Sequence, residues 1–370
     1  MRAGSRLVLP RFAESPEEAI DSVLQLEEMA PPDPATLAPT DLIVAVKAAS
    51  VAFIDLLMLS GQYQHVPPLP FTPGTEYAGE VVWTGPGVDP AKAKLGDPVM
   101  SDFMVVGPRS LGDYQQHGGW ASYAVASQDG VHRIPAGFSF EQSCNLLLNY
   151  ETAHYALVTR AKVQPGETVL INSASGATGM AAVQVAKLLG ATVIATGRSD
   201  TKLAGVRSFG ADHVINTATQ DGASGVPRFR DDVKALTGGS GAHVVYDTVG
   251  GDVSLESMRS LRFGGRMVIV GWAANTKVAR GGGKRGSENA NTLPTNIMMM
   301  KGLSVMGSPM VIHSGRDPAL RATRLRTVFQ WVAEGRLTPF VSHTFPIEKF
   351  REALRAKLTG EVNGGCVLLP

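Results

Sequence analysis

The sequence predicts an α/β protein in which a doubly wound parallel sheet, flanked by helices, is joined to a smaller and mostly antiparallel β domain. Three observations predict it. Between residue 142 and about residue 306, short apolar strands alternate with helix-length segments, the order of a parallel sheet covered on both faces. Ahead of that section, short apolar strands are separated by Pro- and Gly-rich turns, as in a small antiparallel sheet. Within the alternating section, Val169, Leu170 and Ile171 run directly into a glycine turn and a helix, the opening of a βαβ unit.

In chain order, the first section is expected to carry strands at 42–48, 79–83, 99–101, 121–125 and 131–134. The alternating section places strands at 168–171, 192–196, 213–215, 243–246, 266–270 and 303–306. Helices at 320–334 and 348–358 and a terminal strand at 365–368 follow. Six strands already complete the doubly wound sheet, so the last strand has to rejoin the first section. The expected domains are therefore 1–141 with 310–370, and 142–309.

The glycine turn carries the most chemistry. Ala174, Gly176 and Gly179 occupy the small-residue positions of an A-x-G-x-x-G turn, with Ser175, Ala177 and Thr178 between them. Such a turn brings a dinucleotide pyrophosphate against backbone N–H groups at a helix N-terminus, where the dipole favours anions. The helix that follows is rich in Ala, Val and Leu and closes at Gly190, a glycine stop. An NAD-preferring site needs a carboxylate about 20 positions past the glycines to accept from the ribose 2′-OH. Here the tip of the second strand reads Gly197, Arg198, Ser199, Asp200, Thr201, Lys202. Gly197 leaves room, and Arg198, Ser199 and Lys202 supply donors for a 2′-phosphate, so the predicted cofactor is NADPH. Asp200 is expected to cap the next helix.

Length and composition agree with a soluble two-domain enzyme. The 370 residues suit two domains, and 41 glycines suit a turn-rich α/β chain. A net charge of +1 implies neither nucleic acid nor an anionic membrane as partner. No apolar run approaches the ~20 residues of a spanning helix, and the N-terminus lacks a signal-peptide core, so the expected location is cytoplasmic. With only two cysteines, Cys144 and Cys366, a disulfide framework and a multi-cysteine zinc site are excluded by count. The eight histidines form no H-x-x-x-H or H-E-x-x-H pair, so the chemistry is expected to be metal-free.

Segments spanning nearly the whole chain carry a family resemblance: VKAASVAFIDLLMLSGQY, PGTEYAGEVVWTGPG, GDPV, GGWASYAV, SASGATGMAAVQVAKLLGA, FGADHVIN, YDTVGG, GGRMVIVG, KGLSVMGSP and FPIEKFREALRAKLTGEVNGGCVLL. The chain resembles the zinc-independent quinone oxidoreductase and enoyl reductase branch of the medium-chain dehydrogenase/reductase superfamily. That resemblance implies a chaperonin-10-like β-barrel catalytic domain, a Rossmann nucleotide-binding domain, an active site in the cleft between them, and a homodimer extended through the strand near 303–306. Zinc-dependent members carry a Cys near the Asp-bearing helix and a His before Glu; Ala52 and Thr75 stand there instead. Lewis-acid polarisation of an alcohol is thereby disfavoured. Hydride transfer to a quinone, or to a C=C bond conjugated to a carbonyl, is the implied reaction.

The resemblance also implies roles for single residues. Tyr63 matches a proton-donating tyrosine of enoyl-thioester reductases; a phenol with an ordinary pKa of about 10 is protonated at neutral pH and can act as an acid. Asn149, Thr152, Val270, Gly271 and Asn363 fall at cofactor-contacting positions, although helix capping is the alternative for Asn149 and Thr152. Ala52 replaces the family's asparagine next to the substrate, and Asp55 is expected to be a helix N-cap. The chain adds a basic, glycine-rich segment with Lys277, Arg280, Lys284 and Arg285. It reads either as a solvated loop or as a cationic mouth for the phosphates of a coenzyme A thioester, in which case Arg280, Lys284 and Arg285 belong to the substrate site. Residues 107–116 are expected to help shape the pocket, but nothing in them specifies a ligand. A second reading of the whole stays open: a non-catalytic NADPH-binding protein on the same fold.

Overall fold

The computed structural model describes residues 1–110, 112–219, 225–274 and 291–370. Its strands are β1 (Gly4–Val8), β2 (Gln25–Met29), β3 (Asp41–Ser50), β4 (Tyr77–Thr84), β5 (Pro98–Ser101), β6 (Tyr123–Ser127), β7 (Val131–Arg133), β8 (Thr168–Ile171), β9 (Thr192–Gly197), β10 (His213–Asn216), β11 (Ala242–Asp247), β12 (Leu261–Ile269), β13 (Ser304–Gly307), β14 (Val341–Pro346) and β15 (Gly365–Leu369). The described residues divide into two compact units, 1–148 with 339–370, and 149–338. No helix among them is long and apolar enough to cross a membrane.

In the first unit, β3 is the spine of a seven-stranded sheet. One edge of β3 pairs with β6 over 41–45 and with β15 over 49–50, while the other edge pairs with β4. Two register shifts interrupt the β3/β4 ladder, between Ile43 and Val44 and between Val46 and Ala48. Such bulges bend and twist a strand, which lets a small sheet curl around its own core. That core gathers Leu42, Val44, Val46, Leu56, Tyr77, Val81, Trp120 and Leu368, all buried. The Trp120 indole N–H donates to the Ser50 carbonyl at 2.9 Å, satisfying the one polar atom of a fully buried ring.

The second unit holds six parallel strands in the order β10-β9-β8-β11-β12-β13. The chain runs outward from β8 to β10, then returns to the other side of β8. Helices Ala177–Leu188 and Asp200–Ser208 make the first crossovers, and Gly251–Ser260 lies between β11 and β12. The central strands are apolar on both faces, with Val169, Leu170, Ile171, Val193, Ile194, Val244 and Val245 all fully buried, because helices cover a parallel sheet on each side. Neighbours β8 and β11 mark the point where the strand order reverses. Open α/β sheets place ligand sites at the carboxyl ends of such strands.

The structure departs from the expected layout in three places. The boundaries fall at 148/149 and 338/339 rather than at 141/142 and 309/310. Residues 310–338 go with the parallel sheet because Arg321 and Arg324, on helix Pro318–Ala333, both pair with Glu151 on helix Leu147–His154. The β1/β2 hairpin was not anticipated: its strands are short and charged, and β1 is held from outside by Leu7 N–H donating to Trp120 O and by Ser122 N–H donating to Ser5 O. Strand β14 was also missed, since its alternating exposure leaves only a weak apolar signal; it pairs in parallel with β15 through the amphipathic helix Phe350–Thr359.

Candidate active site

The nucleotide turn leaves β8 at Ile171 and enters helix Ala177–Leu188 at Gly176. Ser173 sits in the left-handed region at φ 51°, making the sharp exit from the sheet. The buried Ala174 is pinned by its N–H donating to Thr196 O at 2.9 Å. Gly179 is required by close packing: a Cβ there would lie 2.4 Å from Ser173 O and 2.8 Å from Ala174 Cα. Gly176 is different, since a Cβ would meet nothing closer than 3.5 Å, and no side chain caps the helix at this N-terminus. Ser175, Gly176, Ala177 and Thr178 are all half-buried. A glycine-lined helix start without a side-chain cap is the cradle a pyrophosphate needs.

Two residues overlooked in the sequence hold this turn. Asn172, fully buried, donates both amide hydrogens, to Asp247 Oδ1 at 3.0 Å and to Ser257 Oγ at 2.8 Å, and its Oδ1 accepts from Thr196 Oγ1 at 3.0 Å. Asp247, at the end of β11 and also fully buried, accepts from Val249 N–H at 3.0 Å and from the Ser254 hydroxyl. The network clamps β8, β9 and β11 where the strand order reverses, and a fully satisfied buried network of this kind rigidifies its surroundings. It also carries two expected cofactor residues, because Val270 N–H and Gly271 N–H both donate to Asp247 O, at 2.8 and 3.3 Å. The only local signals were an Asn immediately before the glycine turn and an Asp ending an apolar strand.

Asn149 and Thr152 lie inside helix Leu147–His154. Asn149 Oδ1 accepts from Thr178 Oγ1 at 2.7 Å, which ties it directly to the nucleotide turn. At the tip of β9, a Cβ on Gly197 would come within 3.1 Å of Leu203, so the glycine also serves packing. Arg198 is exposed, and the half-buried Lys202 stands one turn into the next helix. The cap of that helix is Ser199, whose Oγ accepts from Lys202 N–H at 3.5 Å; Asp200 is its first residue rather than its cap. Ser199 takes this place because its extended backbone, φ −142° and ψ 119°, aims the hydroxyl at the first turn.

In the first unit, Ala52 is the N-cap of helix Phe53–Leu59 and offers no side-chain donor. Asp55 is not the cap but the third helical residue. Its Oδ2 accepts from Ala52 N–H at 2.8 Å and its Oδ1 accepts from Thr75 N–H at 3.0 Å and Thr75 Oγ1 at 2.5 Å. Burial pushes the Asp55 carboxyl up to about 6, opposed by the Thr75 and Ala52 hydrogen bonds. Glu76 Oε1 accepts from Leu148 N–H at 2.8 Å. Both carboxylates thus hold backbone. Asn363 precedes β15 in this unit, its N–H donating to Ser342 Oγ at 3.0 Å.

Tyr63 is half-buried beyond helix Phe53–Leu59, and its hydroxyl accepts from Arg109 Nε at 3.4 Å. Arg109, from the segment expected only to shape the pocket, is 1% exposed. Arg280, Lys284 and Arg285 lie outside the described residues.

Residues 38–136 match the family model described as "Alcohol dehydrogenase GroES-like domain", and residues 177–323 match "Zinc-binding dehydrogenase". Quinone oxidoreductase-like protein 2 of Mus musculus is 35% identical over 344 residues, covering 92% of this chain and 88% of the relative. The chain belongs to the medium-chain dehydrogenase/reductase superfamily. Two solved structures of similar proteins align along almost the whole length. One is mycobacterial Rv1454c complexed with NADPH, with a TM-score of 0.77 and 25% identity, covering 99% of this chain and 100% of that one. The other is the CurK enoyl reductase, with a TM-score of 0.75 and 26% identity, covering 98% and 99%.

As a member of the superfamily, the chain combines a GroES-like first unit with a Rossmann-like second unit. Although one matching model is described as zinc-binding, the two positions named above hold Ala52 and Thr75, neither able to ligate zinc alone. Among the described residues, no group of three or more His, Cys, Asp or Glu is placed to hold a metal ion. The superfamily scaffold here lacks the catalytic zinc motif.

Proposed function

We propose that this chain reduces a quinone, or a C=C bond conjugated to a carbonyl, with hydride from NADPH and without a metal. The chain is an NADPH-dependent oxidoreductase related to quinone and enoyl reductases. The observation that carries the reading is the nucleotide turn joined to a β9 tip that offers Gly197, Arg198 and Ser199 where an NAD site would offer a carboxylate. The residues present fit the cofactor. Gly176 and the first-turn N–H groups would hold the pyrophosphate, Arg198 and Lys202 the 2′-phosphate, and Asn149, Thr152, Val270 and Gly271 the nicotinamide end.

When bound, NADPH supplies the hydride; the chain's own residues orient the acceptor, exclude water and manage charge and protons. Hydride arriving at the β-carbon of an enone drives the π electrons onto the carbonyl oxygen, and the enolate then needs a proton at its α-carbon. Tyr63 is the residue we assign to that proton. Its hydroxyl accepts from Arg109 and, among the described residues, donates to none, so its own hydrogen is available.

Two further points belong to this reading. The edge strand β13 and the exposed Phe263, Met299 and Met300 form an apolar border suited to a second copy of the chain. The buried free thiols of Cys144 and Cys366 suit a reducing cytoplasm. Purified protein assayed for NADPH and NADH oxidation against a benzoquinone, a simple enone and an enoyl-CoA tests the proposal. Turnover with NADPH preferred is the expected result, and Tyr63→Phe should lower enone turnover by about 100-fold while sparing the quinone. Tight NADPH binding without turnover of any acceptor would instead point to a cofactor-binding protein.

A further inference from the structure

The buried cation of the first unit that the fold does not explain is the guanidinium of Arg109. The side chain is 1% exposed, yet it forms no ion pair among the described residues. Its Nε donates to the Tyr63 hydroxyl at 3.4 Å, its Cζ lies 5.7 Å from the centre of the Tyr63 ring, and its Nη2 is buried with no hydrogen-bond partner among the described residues. A phenol oxygen and a ring face are weak compensation for a cation taken out of water. Arginine cannot escape by losing its proton. The backbone nevertheless builds the placement: Gly107, at φ 77°, turns the chain, and Ser110 closes the turn with its N–H and Oγ both donating to Gly107 O, at 3.0 and 2.8 Å. A nearly buried charge that an ordered turn holds without a counter-ion among the described residues is the signature of a site completed by a ligand oxygen.

We infer that Arg109 binds the carbonyl oxygen of the acceptor, a specific contact that rests on the reductase reading above. A guanidinium N–H of Arg109 donates to that oxygen in the ground state. As a hydride forms the new C–H bond at the β-carbon and converts NADPH to NADP⁺, the C=C pair shifts and the oxygen becomes an enolate O⁻ facing the guanidinium. The enolate then takes the Tyr63 proton at its α-carbon, the carbonyl reforms, and the tyrosinate left beside Nε is reprotonated by water. Arg109 therefore faces negative charge at both stages, first on the acceptor and then on Tyr63. A fixed donor aimed at developing charge in a dry site acts far more strongly than the same donor in water.

The test compares wild type with Arg109→Gln and Arg109→Met in the full chain, using 3-penten-2-one as acceptor. The expected result is a fall in kcat/KM of about 100-fold, with NADPH affinity unchanged and a Tm equal to or above wild type, because an uncompensated buried charge has been removed. An effect within twofold overturns the inference. So does a loss that merely tracks a lower Tm and weaker NADPH binding in both variants. Binding of 4-nitrophenolate, a stable oxyanion, to the NADP⁺-loaded protein separates this inference from the reductase reading. If wild type reduces no acceptor, the reductase reading fails, but wild-type binding weakened tenfold or more in the variants still supports Arg109 as an oxyanion site. Equal affinities, or no wild-type binding, overturn it.

Discussion

Arg109 and Arg324 are both almost fully buried, and each lies beside a tyrosine ring, 5.7 Å from the centre of Tyr63 and 5.5 Å from that of Tyr155. Their counter-charges differ. Arg324 donates through Nε and Nη2 to Glu151 at 2.9 and 2.8 Å and through Nη2 to Ser314 Oγ at 2.5 Å, while Arg321 holds the other oxygen of the same carboxylate at 2.9 Å. Arg109 has a phenol and nothing else among the described residues. A buried charge with its partner in place fixes architecture, here docking helix Pro318–Ala333 onto helix Leu147–His154. A buried charge without one is tolerated only where something other than folding needs it.

The sharpest way to break this contrast is to remove the carboxylate. Glu151→Ala should strand the buried Arg324 and the half-buried Arg321 and cost about 3–5 kcal/mol, read as a drop in the urea midpoint at constant slope. Arg109→Gln should leave the urea midpoint in place or raise it, so equal losses in the two variants would erase the distinction. The third prediction concerns pH. Burial, with a smaller contribution from Arg324, pushes His154 down to about 4, and its ring lies 5.5 Å from that of Trp331. The folded protein then binds fewer protons than the unfolded chain between about pH 4 and 6.5. This residue's stabilisation is therefore complete above about pH 6.5 and disappears by pH 4, a span of about 3 kcal/mol. His154→Phe should flatten the fall in stability over that window, measured by urea unfolding at intervals of pH. Asp55, pushed up to about 6, acts in the opposite sense, its contribution shrinking as pH rises from about 4 to 6. The smallest effect is expected at the surface, where Arg198→Ala should weaken NADPH binding about tenfold and leave NADH unchanged in a fluorescence titration.

The same contrast explains what the sequence could reveal. The glycine turn and the β9 tip are written in consecutive residues, so strand, turn, helix and cation could be read from spacing alone. Most strands of both sheets were legible for the same reason, with apolar runs bounded by Gly and Pro. The Asn172–Asp247 network joins residues far apart in sequence, and neither carries a local signal strong enough to stand alone. Arg109 was illegible because surface arginines are the ordinary case, and only burial marks this one. The displaced boundary near residue 338 has a similar origin: two arginines on an ordinary-looking helix meet Glu151 across a long loop of chain. At the next helix start, Ser199 and Asp200 are both good caps, and backbone conformation chose between them.

The most direct measurement is the fate of the hydride. Purified protein incubated with 3-penten-2-one and NADPH deuterated at either face of C4 in ordinary water should, with one of the two labels, give product carrying deuterium on the β-carbon and solvent hydrogen on the α-carbon. Saturated product without deuterium from either label, or no reduction of enone or quinone while NADPH remains bound, would contradict metal-free hydride transfer from NADPH as the work of this chain.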